Sequence, residues 1–155
     1  MTAPITMRPI GRVIGGRTEA IDDGWESVTA TIALDPTVID PGATDGLADF
    51  SHVEIVFCFD RVVEDDVCRG TRHPRGRTDW PSVGILAQRA KDRPNRIGVT
   101  VCHLIHVGPD SIEVGGLDAV DGTPVLDVKP YLEEFAPRGD VHQPRWSTEL
   151  MAEYW

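Results

Sequence analysis

Arg89 follows the β-type run Val83-Gly84-Ile85-Leu86-Ala87 after Gln88 and precedes the turn residues Arg93-Pro94-Asn95. A guanidinium at a sheet end can grip a carboxylate through two parallel hydrogen bonds, either on a ligand or as an ion pair with a loop acid. Asp118 lies in a second block, Gly116-Leu117-Asp118-Ala119-Val120, just ahead of the turn Asp121-Gly122-Thr123-Pro124. A carboxylate at such an edge accepts from ribose hydroxyls or from an ammonium, and apolar neighbours can sandwich an adenine. Asp121 reads as the head of an Asx-turn. Asp127 and Lys129 share a strand face and read as an ion pair. A third block, Arg72-His73-Pro74-Arg75-Gly76-Arg77, holds three arginines suited to phosphate contacts or to a solvated loop.

Other chemistries find no support. No GxGxxG follows a strand, and no P-loop, GxSxG or HExxH occurs. His103 and His106, three apart on a strand, are expected on opposite faces, which argues against joint metal ligation. Cys58 and Cys102 sit inside apolar runs and read as core fillers rather than nucleophiles. No residue declares itself a general base; His52, His73 and Asp118 are candidates.

Net charge is −10, which disfavours indiscriminate nucleic-acid binding. The charge is unevenly spread, however. Nine of the 15 basic residues fall between Arg61 and Arg96, against five acids, so this window is positive and the remainder strongly acidic. One anion-facing patch would explain the asymmetry; arginines paired with surplus carboxylates would explain it equally. The 155 residues suffice for one domain with its own core. No apolar run reaches membrane-spanning length. Three cysteines without a CxxC, and no signal-peptide pattern, fit a reduced, cytoplasmic setting.

The elements that must position these groups are mostly strands. Period-two alternation and β-branched or aromatic residues predict strands over Met7–Ile14, Val28–Leu34, Phe50–Asp60, Val83–Ala87, Ile97–Val107, Ser111–Leu117 and Val125–Val128. Gly108-Pro109-Asp110 predicts a hairpin turn. Residues 61–81 are too polar for a core element and are expected to form a long exposed loop. Ser147–Tyr154 is expected to be a short helix capped by Ser147. Many short strands with almost no helical period indicate an all-β sandwich or barrel.

The blocks Val83–Val99 and Gly116–Tyr131 resemble the TsaA/TrmO family of S-adenosylmethionine (SAM)-dependent methyltransferases, which modify threonylcarbamoyladenosine in tRNA. The family pattern runs roughly GxFAxRxxxRPNPIGxS and then GLDxxDGTPVxDIKPY, and the likeness extends over about residues 8–14 and 46–131. It implies a small, mainly antiparallel β-barrel with few short helices. It also implies SAM as cofactor, a homodimer with SAM near the subunit interface, and tRNA as methyl acceptor. Cofactor contacts are implied for Asp60, Arg61, Arg89, Val99, Leu117, Asp118, Ala119 and Val120, and contacts to the acceptor for Arg72, Arg75 and Arg77. Three departures stand out. Arg96 replaces a proline, Asp60-Arg61 occupies a position often held by His-Gln, and Thr18–Trp25 takes the place of a Pro-Arg-Gln loop. Acceptor choice is what Arg96 and the Thr18–Trp25 loop put in question, while at Asp60-Arg61 only the position carries over. A methyltransferase of a small molecule or another RNA, or a SAM-binding module without methyl transfer, remains the alternative.

Overall fold

In a computed structural model, which describes all 155 residues, six strands close into an antiparallel barrel. In chain order the strands are β1 (Gly11–Ile14), β2 (Thr29–Leu34), β3 (His52–Cys58), β4 (Thr71–Arg72), β5 (Val83–Gly84), β6 (Ile97–Val107), β7 (Ser111–Gly115) and β8 (Pro124–Pro130). Around the barrel the order is β1-β2-β7-β6-β3-β8, closed by pairing of β1 with β8. β4 and β5 form a separate two-residue ribbon. No helix is long and apolar enough to cross a membrane.

Alternation along the strands builds the core. Ile32, Val53, Ile55, Phe57, Cys102, Ile112 and Val114 point inward and are buried, and burying one such side chain is worth about 1.5–3 kcal/mol. Gly98 lies opposite Phe57, and a Cβ on it would fall 2.4 Å from the phenyl ring. A glycine is therefore what lets that ring cross the barrel interior.

Several expectations need correction. The first strand starts at Gly11 rather than Met7, since Pro9 has no N–H to pair. Val83–Ala87 is a strand only through Gly84; Ile85 turns into the interior and Ile85–Ala87 forms a 3-10 turn. Residues 61–81 are no free loop: Val62 and Trp80 are buried, and Thr71–Arg72 pairs with β5. High average polarity hid those anchors. The helix α1 is Arg145–Leu150, entered from Pro144, whose extended backbone starts it two residues early; Ser147 donates to the Pro144 carbonyl at 2.7 Å and caps nothing. A bulge between Leu104 and His106 places His103 opposite Gly115 and His106 opposite Glu113. Both histidines thus face outward together, because one inserted residue reverses the pleat. Asp121 accepts from the Gly15 N–H at 2.8 Å rather than from its own turn. The pair Lys129–Asp127 forms as expected, at 2.5 Å.

Candidate functional site

Three connections leave the barrel at one end: residues 15–28, 59–96 and 116–123. The registers fix this, with Arg12 opposite Pro124, Phe57 opposite Val125, Cys58 opposite Ile97 and Thr29 opposite Gly115. The residues implied for cofactor and acceptor contacts lie on or beside these connections. The barrel mouth they form is the candidate site.

β6 contributes an open edge to it. β3 pairs with β6 from Ile97 to His103, whereas β7 joins the other side only at His103. Phe59 N–H bonds to Arg96 and Leu104 N–H to Ser51, so even-numbered residues turn their backbone toward β3. Val99 and Val101 consequently aim N–H and C=O at the unpaired edge. Arg89, exposed at the end of its 3-10 turn, donates Nη2 to the Val99 carbonyl at 2.7 Å. Its other nitrogens stay free for a carboxylate. A cavity of about 250 Å³ opens beside this edge, lined among others by Glu26, Val101, His103, Gly116 and Trp155. His103 Nε2 is 3.5 Å from Glu26, and its ring lies 4.6 Å from that of His52.

The segment Leu117–Val120 runs past the same edge. Leu117 and Ala119 turn into the barrel core and offer a ligand only backbone, while Asp118 and Val120 are half-buried. Thr100 donates to one oxygen of Asp118, and Tyr154 donates its hydroxyl to the other. Burial and the Asp118 charge push the Tyr154 phenol up, so it stays a neutral donor. Burial, with the Asp118 charge adding to it, pushes Cys102 up to about 12 and keeps it an unreactive thiol.

Asp60 is exposed where β3 ends. Arg61 acts as a staple between connections, donating to the carbonyls of Thr18 at 3.0 Å and Asp121 at 2.8 Å. Arg96, at a positive φ of 52°, ties its turn to Val62 at 2.6 Å. Five of the nine basic residues of the window are ion-paired, Arg69, Arg72, Arg75, Arg77 and Lys91. Arg72 meets Asp92 at 3.0 Å, Arg75 grips Asp23 at 2.7 and 3.1 Å, and Arg77 pairs with Asp79 while its guanidinium covers Trp80. Asp22 and Asp23, acids of residues 18–25, are therefore the counter-ions of Arg75. Trp25 is buried, with Arg17 over its ring at 4.5 Å, and presents no open stacking face.

Sequence reasoning missed Thr100, Tyr154, Gln88 and the bond from Trp80 to Glu149. Gln88 is buried and donates to Arg72 and Val83, holding the β4–β5 ribbon. Trp80 Nε1 donates to Glu149 at 2.9 Å across 69 residues. None of these carries a local pattern; each becomes functional only through a distant partner.

Chemically, the mouth offers a free guanidinium, a half-buried carboxylate and unpaired backbone donors and acceptors on one strand edge. That set suits a ligand carrying a carboxylate together with an ammonium or hydroxyl donors.

The family profile described as the tRNA-methyltransferase O N-terminal domain matches residues 22–136. A probable S-adenosyl-L-methionine-binding protein of Methanothermobacter thermautotrophicus is 35% identical over 139 residues, covering 87% of this chain and 96% of that protein. The tRNA (adenine(37)-N6)-methyltransferase of Escherichia coli is 42% identical over 94 residues, 58% of this chain and 40% of that protein. The crystal structure of TrmO from Pseudomonas aeruginosa superposes with a TM-score of 0.73 at 27% identity, covering 90% of this chain and 61% of that one. The chain spans less than half the length of the curated methyltransferases it matches. With a family match over most of its length and an archaeal relative aligned almost end to end, this chain belongs to the TrmO N-terminal domain family.

Proposed function

We propose that this protein binds SAM at the barrel mouth and transfers its methyl group, with tRNA adenine as acceptor, as the E. coli relative's name describes for that protein. The observation that carries the reading is the meeting of Arg89, Val99 and Asp118 on the open edge of β6. Arg89 would hold the amino-acid carboxylate, and Asp118 the ammonium or ribose hydroxyls. Asp60 and the backbone of Val99, Leu117, Ala119 and Val120 would shape the remaining contacts, with Arg61 fixing the connections behind them. SAM supplies an electrophilic methyl on sulfur. The chain's task is to align the acceptor and exclude water, so positioning can provide most of the acceleration. A second copy closing the open mouth makes the protein a homodimer in this reading.

A small-molecule acceptor is the second reading, favoured by one feature. Arg72, Arg75 and Arg77 already hold carboxylates, so an RNA phosphate must compete for them. Incubation with labelled SAM and bulk tRNA from cells lacking the endogenous activity separates the two. Label in tRNA, with association weakened by salt, supports the tRNA reading. SAM binding without labelled tRNA supports a small acceptor or a binding module.

A further inference from the structure

Residues 145–155 cross the mouth and touch all three connections. Glu149 accepts from Trp80 Nε1 on the second connection. The carbonyls of Glu153 and Tyr154 accept from Gly24 N–H at 2.8 Å and Trp25 N–H at 2.9 Å on the first. The Tyr154 hydroxyl donates to Asp118 on the third. The segment nevertheless has no core anchor. α1 buries no residue, and Trp146, Leu150, Met151 and Tyr154 are only half-buried. A segment held by a few polar contacts at its edges opens at far lower cost than the barrel beneath it.

The two partners of Asp118 differ accordingly. Thr100 is fixed on β6, whereas Tyr154 rides on the detachable segment. A ribose hydroxyl or an ammonium is a donor of the same kind as the Tyr154 hydroxyl and would take the same oxygen. We infer that residues 145–155 form a strap latched by Tyr154 on Asp118, which a ligand binding Asp118 must displace. This rests on the SAM reading of the site. A closed strap lowers apparent affinity by the fraction of molecules that are open, so loosening the latch tightens binding.

The test pairs amide exchange with SAM titration in the full chain, comparing wild type with Tyr154→Phe. Gly24 and Trp25 amides report the strap directly, and the Ile32 amide reports the barrel. In Tyr154→Phe the two strap amides should exchange about tenfold faster, the order expected for losing a hydrogen bond to a charged group, with Ile32 unchanged. The variant should bind SAM more tightly, and SAM added to wild type should speed exchange at Gly24 and Trp25. Glu149→Ala, which removes the acceptor for Trp80 Nε1 at the other end from a solvent-exposed position, should move both readouts the same way. Unchanged strap amides in both variants, or weaker SAM binding with slower exchange on SAM addition, would overturn the strap and make Tyr154 part of the binding surface. Faster strap exchange in proteins that bind no SAM would uphold the latch while removing the cofactor reading.

Discussion

The Arg89 guanidinium closes on the Val99 carbonyl at 2.7 Å, joining a 3-10 turn to the open edge of β6 ten residues further on. One nitrogen is spent on that bond, which orients the rest of the fork toward the cavity. Arg89→Ala should weaken SAM binding by about 1.5–3 kcal/mol, the range for a hydrogen bond to a charged group. Calorimetric titration of the folded variant gives the answer; unchanged affinity would remove Arg89 from the cofactor site.

The interior imposes a steric condition. Three Phe57 ring atoms would lie within 3.0 Å of a Cβ on Gly98, and a rigid aromatic ring cannot swing aside inside a closed barrel. Gly98→Ala should cost about 1–3 kcal/mol through overpacking, lowering the melting temperature by several degrees. An unshifted thermal melt would show that the ring has room to move.

Acid should weaken the fold partly through Asp92. Burial pushes its carboxyl up, but hydrogen bonds from Lys91 and Arg72 outweigh this and leave it below the ordinary carboxylate value. A depressed folded value means that the pair's stabilisation is present above about pH 4 and is lost as pH falls through the folded value. Arg72→Gln should remove about 1 kcal/mol at neutral pH and flatten the fall in melting temperature between about pH 5 and 2. Parallel pH curves for wild type and variant would contradict this.

The strands were largely legible from residue order alone. Period-two burial in Thr29–Leu34 and His52–Cys58 follows directly from alternating β-branched and aromatic residues. Ile97–Val107 has the expected ends, yet its bulge at Ile105 left no trace in the sequence, because a bulge is set by pairing with β7. Arg89 and Asp118 stood out in the sequence because Gly and Pro turns lie close to both. Their partners did not. Tyr154 reaches Asp118 across 36 residues and Arg75 reaches Asp23 across 52, separations at which no local pattern operates. Of the two readings the basic window allowed, ion pairing holds for Arg69, Arg72, Arg75, Arg77 and Lys91, while Arg61, Arg89, Arg93 and Arg96 donate to backbone carbonyls.

The assembly is open to a direct check. Val101 and Ile105 are 44% and 50% exposed on β6, and Val101 lines the cavity. A second subunit would cover both and close the mouth. Light scattering in the presence of SAM should report twice the 17.0 kDa chain mass at micromolar concentration. A monomer under those conditions would contradict the homodimer.

SAM binding itself is the most direct test of this account. Calorimetric titration of SAM into the wild-type protein should give a saturable isotherm with a dissociation constant in the micromolar range, about −8 kcal/mol, and Asp118→Asn should weaken it. Absence of saturable heat at millimolar SAM, in a protein whose melting transition shows it to be folded, would contradict the assignment of the barrel mouth as a SAM site.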